Sequence, residues 1–157
     1  MSTPPYFTMV SEVLPIQRRD FYAASTALLN PNNANPLIDG EWLQLDSSYM
    51  AARGSGEQAT PAWVMFAERG RYDTQSIGKV PLLFVGGFEA ETKVCDLTGM
   101  TVGNALVVQD VTVSSLTRRG LAKLGAGGGE HLIFGYVTRV LTDRVRFWTM
   151  GAHWKHV

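Results

Sequence analysis

The chain has little charge for its size. Of its 157 residues 18% are charged, and Lys plus Arg equal Asp plus Glu, so the formal net charge is zero. A soluble domain usually has roughly 25% charged residues, so charge can cover less of this surface than normal. A neutral chain also lacks the basic excess that nucleic-acid binding normally requires. The composition therefore favours an oligomer or a subunit docked on other proteins, and it disfavours nucleic acid as a partner.

Cysteine and long apolar runs are also scarce. The single cysteine, Cys95, cannot form an intramolecular disulfide, so we expect stability without an oxidising compartment and a half-buried thiol in a strand. An apolar run of about 18 residues, as a membrane span needs, does not occur. The first ten residues contain no Lys or Arg and no signal-like apolar stretch. We therefore expect a soluble protein made in a cytoplasm.

Motifs for catalysis and cofactor binding are missing as well. Residues 125–130 are glycine-rich, but they lack the Gly-Lys-Ser/Thr of a P-loop, and a strand pattern follows where a dinucleotide fingerprint needs a helix. We interpret this run as a flexible hairpin loop. No Gly-x-Ser-x-Gly nucleophile motif occurs, and the histidines His131, His153 and His156 have no cluster of further ligands in the sequence. We predict no catalytic residue, no cofactor and no metal site.

What the chain does have is strand-length runs rich in Val, Ile, Thr and aromatic residues, separated by Gly, Asp and Asn. They are clearest at residues 102–108, 131–141 and 145–150. Each such run can present one pleated face to a core and then turn sharply. The pattern predicts an all-β chain that forms one small β-barrel or β-sandwich domain over residues 12–157.

The middle of the chain continues this pattern. Residues 41–45 alternate, with Trp42 and Gln44 on one face. Residues 62–67 are apolar on both faces, which is typical of a strand in the centre of a barrel or under a neighbouring subunit. Residues 80–85 and 88–94 are interpreted as two further strands, interrupted by the two glycines between them.

The first 29 residues are harder to interpret. Residues 1–11 are predicted to be an extended N-terminal arm, since two prolines favour an extended backbone and no charge follows until Glu12. Such an apolar arm should lie on a neighbouring subunit. Residues 18–29 fit either a short helix or a strand, and residues 30–36 are predicted to be a long turn.

Basic residues are concentrated at two places, around Arg69 and Arg71 and at Arg118 and Arg119. One interpretation is a phosphate-binding patch with an aromatic stacking surface. The interpretation favoured by the neutral composition is that these are solvated hairpin ends that pair with Asp73 or with acidic loops of a partner. The candidate partner or oligomer contacts are Tyr6, Phe7, Met9, Val10, Arg69, Arg71 and Trp154.

Four segments together resemble virion structural proteins of tailed bacteriophages, in particular the small capsid decoration or cement proteins. They are residues 35–45, 66–73, 102–108 and 135–140, so the resemblance covers roughly residues 30–150. It implies a non-enzymatic β-barrel or sandwich subunit, often trimeric, that lies on the outer shell and bridges major capsid proteins. It carries over no catalytic motif.

From this resemblance we expect a capsid decoration protein on the surface of a phage head, with the major capsid protein and further copies of itself, in a homotrimer, as partners. A second possibility is a β-barrel that binds a small ligand or a polysaccharide through exposed aromatic side chains. The candidates for that role are Trp42, Trp63 and Trp148.

Overall fold

The computed structural model describes residues 5–67 and 78–157, and the regular secondary structure of this part of the chain is almost entirely β-strand. A single 3-10 turn at Thr26–Leu29 is the helical element in the described residues. None of the described helical segments has the length and apolar character that crossing a bilayer requires. The strands are β1 (Phe7–Tyr22), β2 (Trp42–Leu45), β3 (Ala51–Ala52), β4 (Trp63–Val64), β5 (Lys79–Thr92), β6 (Ala105–Val113), β7 (Leu116–Lys123), β8 (Glu130–Ile133), β9 (Gly135–Val140), β10 (Val145–Thr149) and β11 (His153–His156).

Six of these strands form one antiparallel sheet in the order β1-β5-β10-β9-β6-β7. The sheet curls towards closure, because the segment that follows β5 reaches β7 through a parallel bridge between Cys95 and Leu121. The amide of Leu121 donates to the carbonyl of Val94 across this contact at 3.0 Å. The prediction of a small all-β domain of the barrel or sandwich type is confirmed.

Two smaller sheets complete the fold. One has the order β3-β2-β4, and the other pairs β8 with β11. The buried side chains form a main core around Trp42 and a second core that contains Leu43, Met65, Val80 and Leu82. Alternation in β2 is as predicted, because Trp42 packs in the main core while Leu43 packs in the second core against β5. Around Trp42, Phe88, Phe134 and Phe147 form the aromatic centre of the main core.

The strand predicted to be apolar on both faces is buried within its own chain. Val64 packs in the main core and Met65 in the second core, so both faces of this segment are covered without a neighbouring subunit. A two-sided apolar strand is satisfied equally well between two cores of one chain as between two chains. Val64 and Met65 therefore need no neighbouring subunit to bury them, while Trp63, Phe66 and Ala67 remain partly exposed.

The structure corrects the N-terminal prediction. Residues 7–11 are not a separate arm but the beginning of β1, which pairs with β5 of the same chain from Phe7 to Tyr22. Phe7 is 2% exposed and packs on Phe66 and Phe88 in the main core. The domain therefore includes these residues, and the boundary predicted between residues 11 and 12 does not mark a break in the fold.

The structure also decides one open alternative and corrects two local predictions. Residues 18–22 are strand, and only residues 26–29 form a helical turn. The segments 80–85 and 88–94 were predicted as two strands, but residues 79–92 form one continuous strand in which Gly86 and Gly87 are included. The glycine-rich run is not a hairpin loop, because β7 pairs with β6 whereas β8 pairs with β11, so the run connects two different sheets.

Candidate interaction surface

The outer strand β1 exposes more apolar side chain than the rest of the sheet. It lies at one end of the six-stranded sheet, and from Val10 to Asp20 every residue except Ile16 is exposed. The exposed large apolar side chains of this strand are Val10, Val13, Leu14 and Tyr22. We call the exposed strand from Val10 to Tyr22 the edge surface.

The backbone of the edge surface is irregular at its centre. The register between β1 and β5 shifts four times between Met9 and Arg18, as it does at β-bulges. Pro15 has no amide hydrogen, and the amide of Ile16 donates to a carboxylate oxygen of Glu12 at 2.6 Å. Bulges and prolines on an edge strand oppose the addition of another strand. The side chains of this surface are therefore better placed for contact than its backbone.

A second exposed group of side chains lies where β9, β10 and the turn into β11 meet. A cavity of about 240 Å³ is present there. Its lining consists of Gly135, Tyr136, Trp148, Thr149, Met150, Gly151, Ala152 and His153. We call it the aromatic cavity. It adjoins the edge surface, because a Cβ added at Gly87 would contact both Met150 and Leu14.

The rings of the aromatic cavity are stacked. Tyr136 stacks with Trp148 at a centroid distance of 5.7 Å and with His153 at 5.8 Å, and both ring pairs are within 30° of parallel. The Tyr136 hydroxyl lies 3.1 Å from His153 Nε2, so a hydrogen bond joins the two rings at their polar ends. The wall is therefore apolar on its ring faces and polar at one edge.

The candidate contact residues from the sequence are divided between these surfaces and the core. Val10 is on the edge surface, and Trp154 is exposed on β11. Phe7 is buried in the main core and is not free for a partner, whereas Tyr6 and Met9 pack against the cores and keep part of their surface exposed. Arg69 and Arg71 lie outside the described residues.

The arginines of β7 are not solvated hairpin ends. Arg118 and Arg119 are buried, and each binds an acid of the same chain. Arg118 and Arg53 both bind the fully buried carboxylate of Glu41. Arg119 binds Asp110, the carbonyl of Gly56 and the side-chain oxygen of Gln58. Neither arginine can therefore serve a phosphate patch.

Other charges on this domain are also paired internally. Glu91 accepts hydrogen bonds from Arg146, and Asp143 binds both Arg144 and Lys93. Hydrogen bonds from Arg144 and then Lys93 hold the pKa of the Asp143 carboxyl well below its usual range. Within residues 5–67 and 78–157, no three His, Cys, Asp or Glu side chains are grouped to hold a metal ion.

Three tryptophans were candidates for an exposed ligand-binding surface, and one of the three is exposed. Trp42 is buried in the main core, and Trp63 is partly buried and stacks on Phe84. Trp148 is exposed and lines the aromatic cavity. Sequence reasoning missed Tyr136, Met150 and Leu14 as surface residues. The alternation of buried and exposed positions along a strand could have found Tyr136, because it lies between two buried residues of β9, just as Trp148 lies between two buried residues of β10.

Comparisons with known protein families, with curated proteins and with solved structures find no match to this chain. The arguments about its function therefore come from its own residues.

Proposed function

We propose that this protein is a non-enzymatic capsid decoration subunit that binds the outer surface of a phage head and bridges major capsid proteins. The observation that supports a docking role is the edge surface, where Val13 and Leu14 are exposed on a long strand of a folded domain. Exposed apolar groups in contiguous stretches typically mark protein contact surfaces. The choice of a capsid as the partner comes from the resemblance of the sequence to decoration proteins.

Docking by this surface would act through side chains. Val13, Leu14 and Tyr22 supply apolar area, while the bulges around Pro15 oppose strand addition by a partner. Burying two such side chains contributes on the order of 3 kcal/mol before ordering costs are subtracted. That free energy is small for one copy. Many copies bound to a capsid stabilise the lattice together, because each copy binds the assembled state and so favours it.

The apolar segment at residues 62–67 does not by itself call for the proposed homotrimer, so we expect the contact surface of the trimer at other residues. Val64 and Met65 are covered by the chain's own cores, so among the described residues the exposed apolar side chains of β1 and those around β10 and β11 are the candidates that we favour for self-association. We expect sedimentation of the purified protein at micromolar concentration to show a trimer. Monomer alone in that range would contradict the oligomer, although a monomer could still bind a capsid.

The function is tested with virions. Mass spectrometry of purified particles, stripped stepwise with denaturant, should find this chain and should show that it is released before the major capsid protein. A chain that is absent from virions, or that leaves only when the shell itself dissociates, would overturn the assignment as a decoration protein.

The edge surface is tested with one variant and one matched control. Val13→Asp places a charge on the edge surface, and Val102→Asp makes the same change at an exposed valine in the segment before β6. Rebinding of Val13→Asp to stripped capsids should weaken by about tenfold or more, equivalent to about 1.4 kcal/mol. Val102→Asp should bind as the unchanged protein does. Equal binding by both variants would remove the edge surface from the contact.

A further inference from the structure

The aromatic cavity has the chemistry of a site for a small neutral molecule. None of its eight lining residues has a carboxylate, ammonium or guanidinium group. A charged ligand would lose water there without gaining a charged partner, which is unfavourable. The lining instead combines the indole of Trp148, the phenol of Tyr136 and the imidazole of His153.

We propose that the aromatic cavity binds one neutral sugar unit of a glycan. A pyranose has an apolar face of C–H groups and a rim of hydroxyl groups, and the cavity offers both kinds of surface. Trp148, which lines the cavity and is stacked on Tyr136, supplies apolar ring surface, and the hydrogen-bonded Tyr136 hydroxyl and His153 Nε2 supply polar groups at the edge of the stacked rings.

The size of the cavity fits a single sugar ring better than a larger ligand. Its volume of about 240 Å³ is below the range of about 300–1,000 Å³ that is typical of pockets for drug-sized ligands. The remainder of a glycan chain would extend into solvent past Met150 and Gly151. Met150 is exposed, and a Cβ added at Gly151 would have no atom within 4 Å, so there is free space on this side. A contact with one ring is weak, so several copies of the protein would strengthen it by multivalency.

The backbone around the cavity keeps its wall in place. At Gly135, an added Cβ would lie 2.6 Å from the Trp148 carbonyl oxygen, so β9 approaches β10 more closely there than a side chain permits. This approach places Tyr136 beside Trp148 in register. The ring stack is therefore built into the strand pairing, and it does not depend on a ligand to form.

The test uses the full chain and methyl glycosides of neutral hexoses and N-acetylhexosamines. At least one of these sugars should produce a saturable shift of the Trp148 indole N–H signal in NMR spectra, with millimolar affinity. Trp148→Ala lacks the indole that reports binding, so its affinity is followed on the backbone amide signals of Tyr136 and His153, and it should weaken by about tenfold or more. Tyr136→Phe should weaken it less, because it retains the ring and removes one hydroxyl.

The matched control is Trp154→Ala, which removes an exposed tryptophan of β11 that does not line the cavity. Its sugar affinity should be unchanged. The absence of a saturable shift with every glycoside would overturn the proposal, as would an equal loss of affinity in Trp154→Ala. Concentration-dependent self-association that Trp148→Ala abolishes, without any sugar effect, would identify the cavity as a contact between copies and would also overturn it. None of these outcomes depends on whether the chain is found in virions.

Discussion

Arg118 on β7 donates a hydrogen bond to the buried carboxylate of Glu41, with 2.6 Å between Nη1 and Oε1. The two residues are 77 positions apart, and their contact joins the large sheet to the segment that leads into β2. Arg53 binds the same carboxylate, and both arginines also donate to the carbonyl of Pro36. This network attaches the long turn at residues 30–36 to the rest of the domain.

We expect Glu41→Gln to destabilise the fold by about 3–5 kcal/mol, because it leaves two largely buried guanidinium groups without their carboxylate. Urea unfolding followed by tryptophan fluorescence measures the change. Glu130→Gln is the control, since Glu130 is exposed at the start of β8 and its replacement should alter stability by no more than about 0.5 kcal/mol. Equal midpoints for the two variants would contradict the importance of the buried pair.

Phe7→Ala should cost about 3–5 kcal/mol, because Phe7 is packed in the main core. Val10→Ala, at an exposed position of the same strand, should have little effect on the free energy of unfolding. Thermal unfolding of both variants decides between two descriptions of the N-terminus. An unchanged melting temperature for Phe7→Ala would support a separate arm and would contradict the strand that the structure shows.

Gly120→Ala should prevent the normal closure of the curled sheet. A Cβ at this position would overlap the carbonyl oxygen of Val94, to which the amide of Leu121 donates. The backbone would have to shift, so we expect a loss of about 1–3 kcal/mol of stability. Gly125→Ala is the matched control, because nothing lies within 4 Å of a Cβ added there. Similar unfolding midpoints in the two variants would show that β7 can move away from residues 94–96 at no cost.

The pair formed by His131 and Glu57 predicts a pH dependence. His131 Nδ1 lies 2.5 Å from a carboxylate oxygen of Glu57, and this hydrogen bond raises the pKa of the imidazole above its ordinary value of 6.5. A raised pKa in the folded state means that the pair stabilises the fold fully below pH 6.5. The stabilisation is lost as the pH rises through the folded-state pKa.

Glu57→Gln should therefore lower the melting temperature more at about pH 5.5 than at about pH 8.5. NMR titration of the imidazole should give a pKa for His131 that is higher in the unchanged protein than in Glu57→Gln. An identical pKa in both proteins would show that the contact does not persist in solution.

Much of the local structure could be predicted from the sequence, because it depends on neighbouring residues. Alternation placed Trp42 and Leu43 on opposite faces of β2, and the run at residues 145–150 corresponds to β10. The run at residues 131–141 is also strand, but the structure divides it between β8 and β9, which belong to different sheets. A strand needs only β-branched and aromatic residues with turns at its ends, and both are visible in a short window of sequence.

Other features depended on which segments meet in space. The apolar character of residues 5–11 is the same whether they cover a neighbour or pair with β5, and only the tertiary structure shows that Phe7 is in the chain's own core. The charge on Arg118 likewise predicts a solvated residue until Glu41, 77 positions away, is placed beside it. A side chain's solvation is set by partners that are distant along the chain. The sequence by itself therefore determined that the chain is all-β and where strands such as β2 and β10 lie, whereas the tertiary structure decided how β1 and β5 are formed and which apolar and charged side chains remain on the surface.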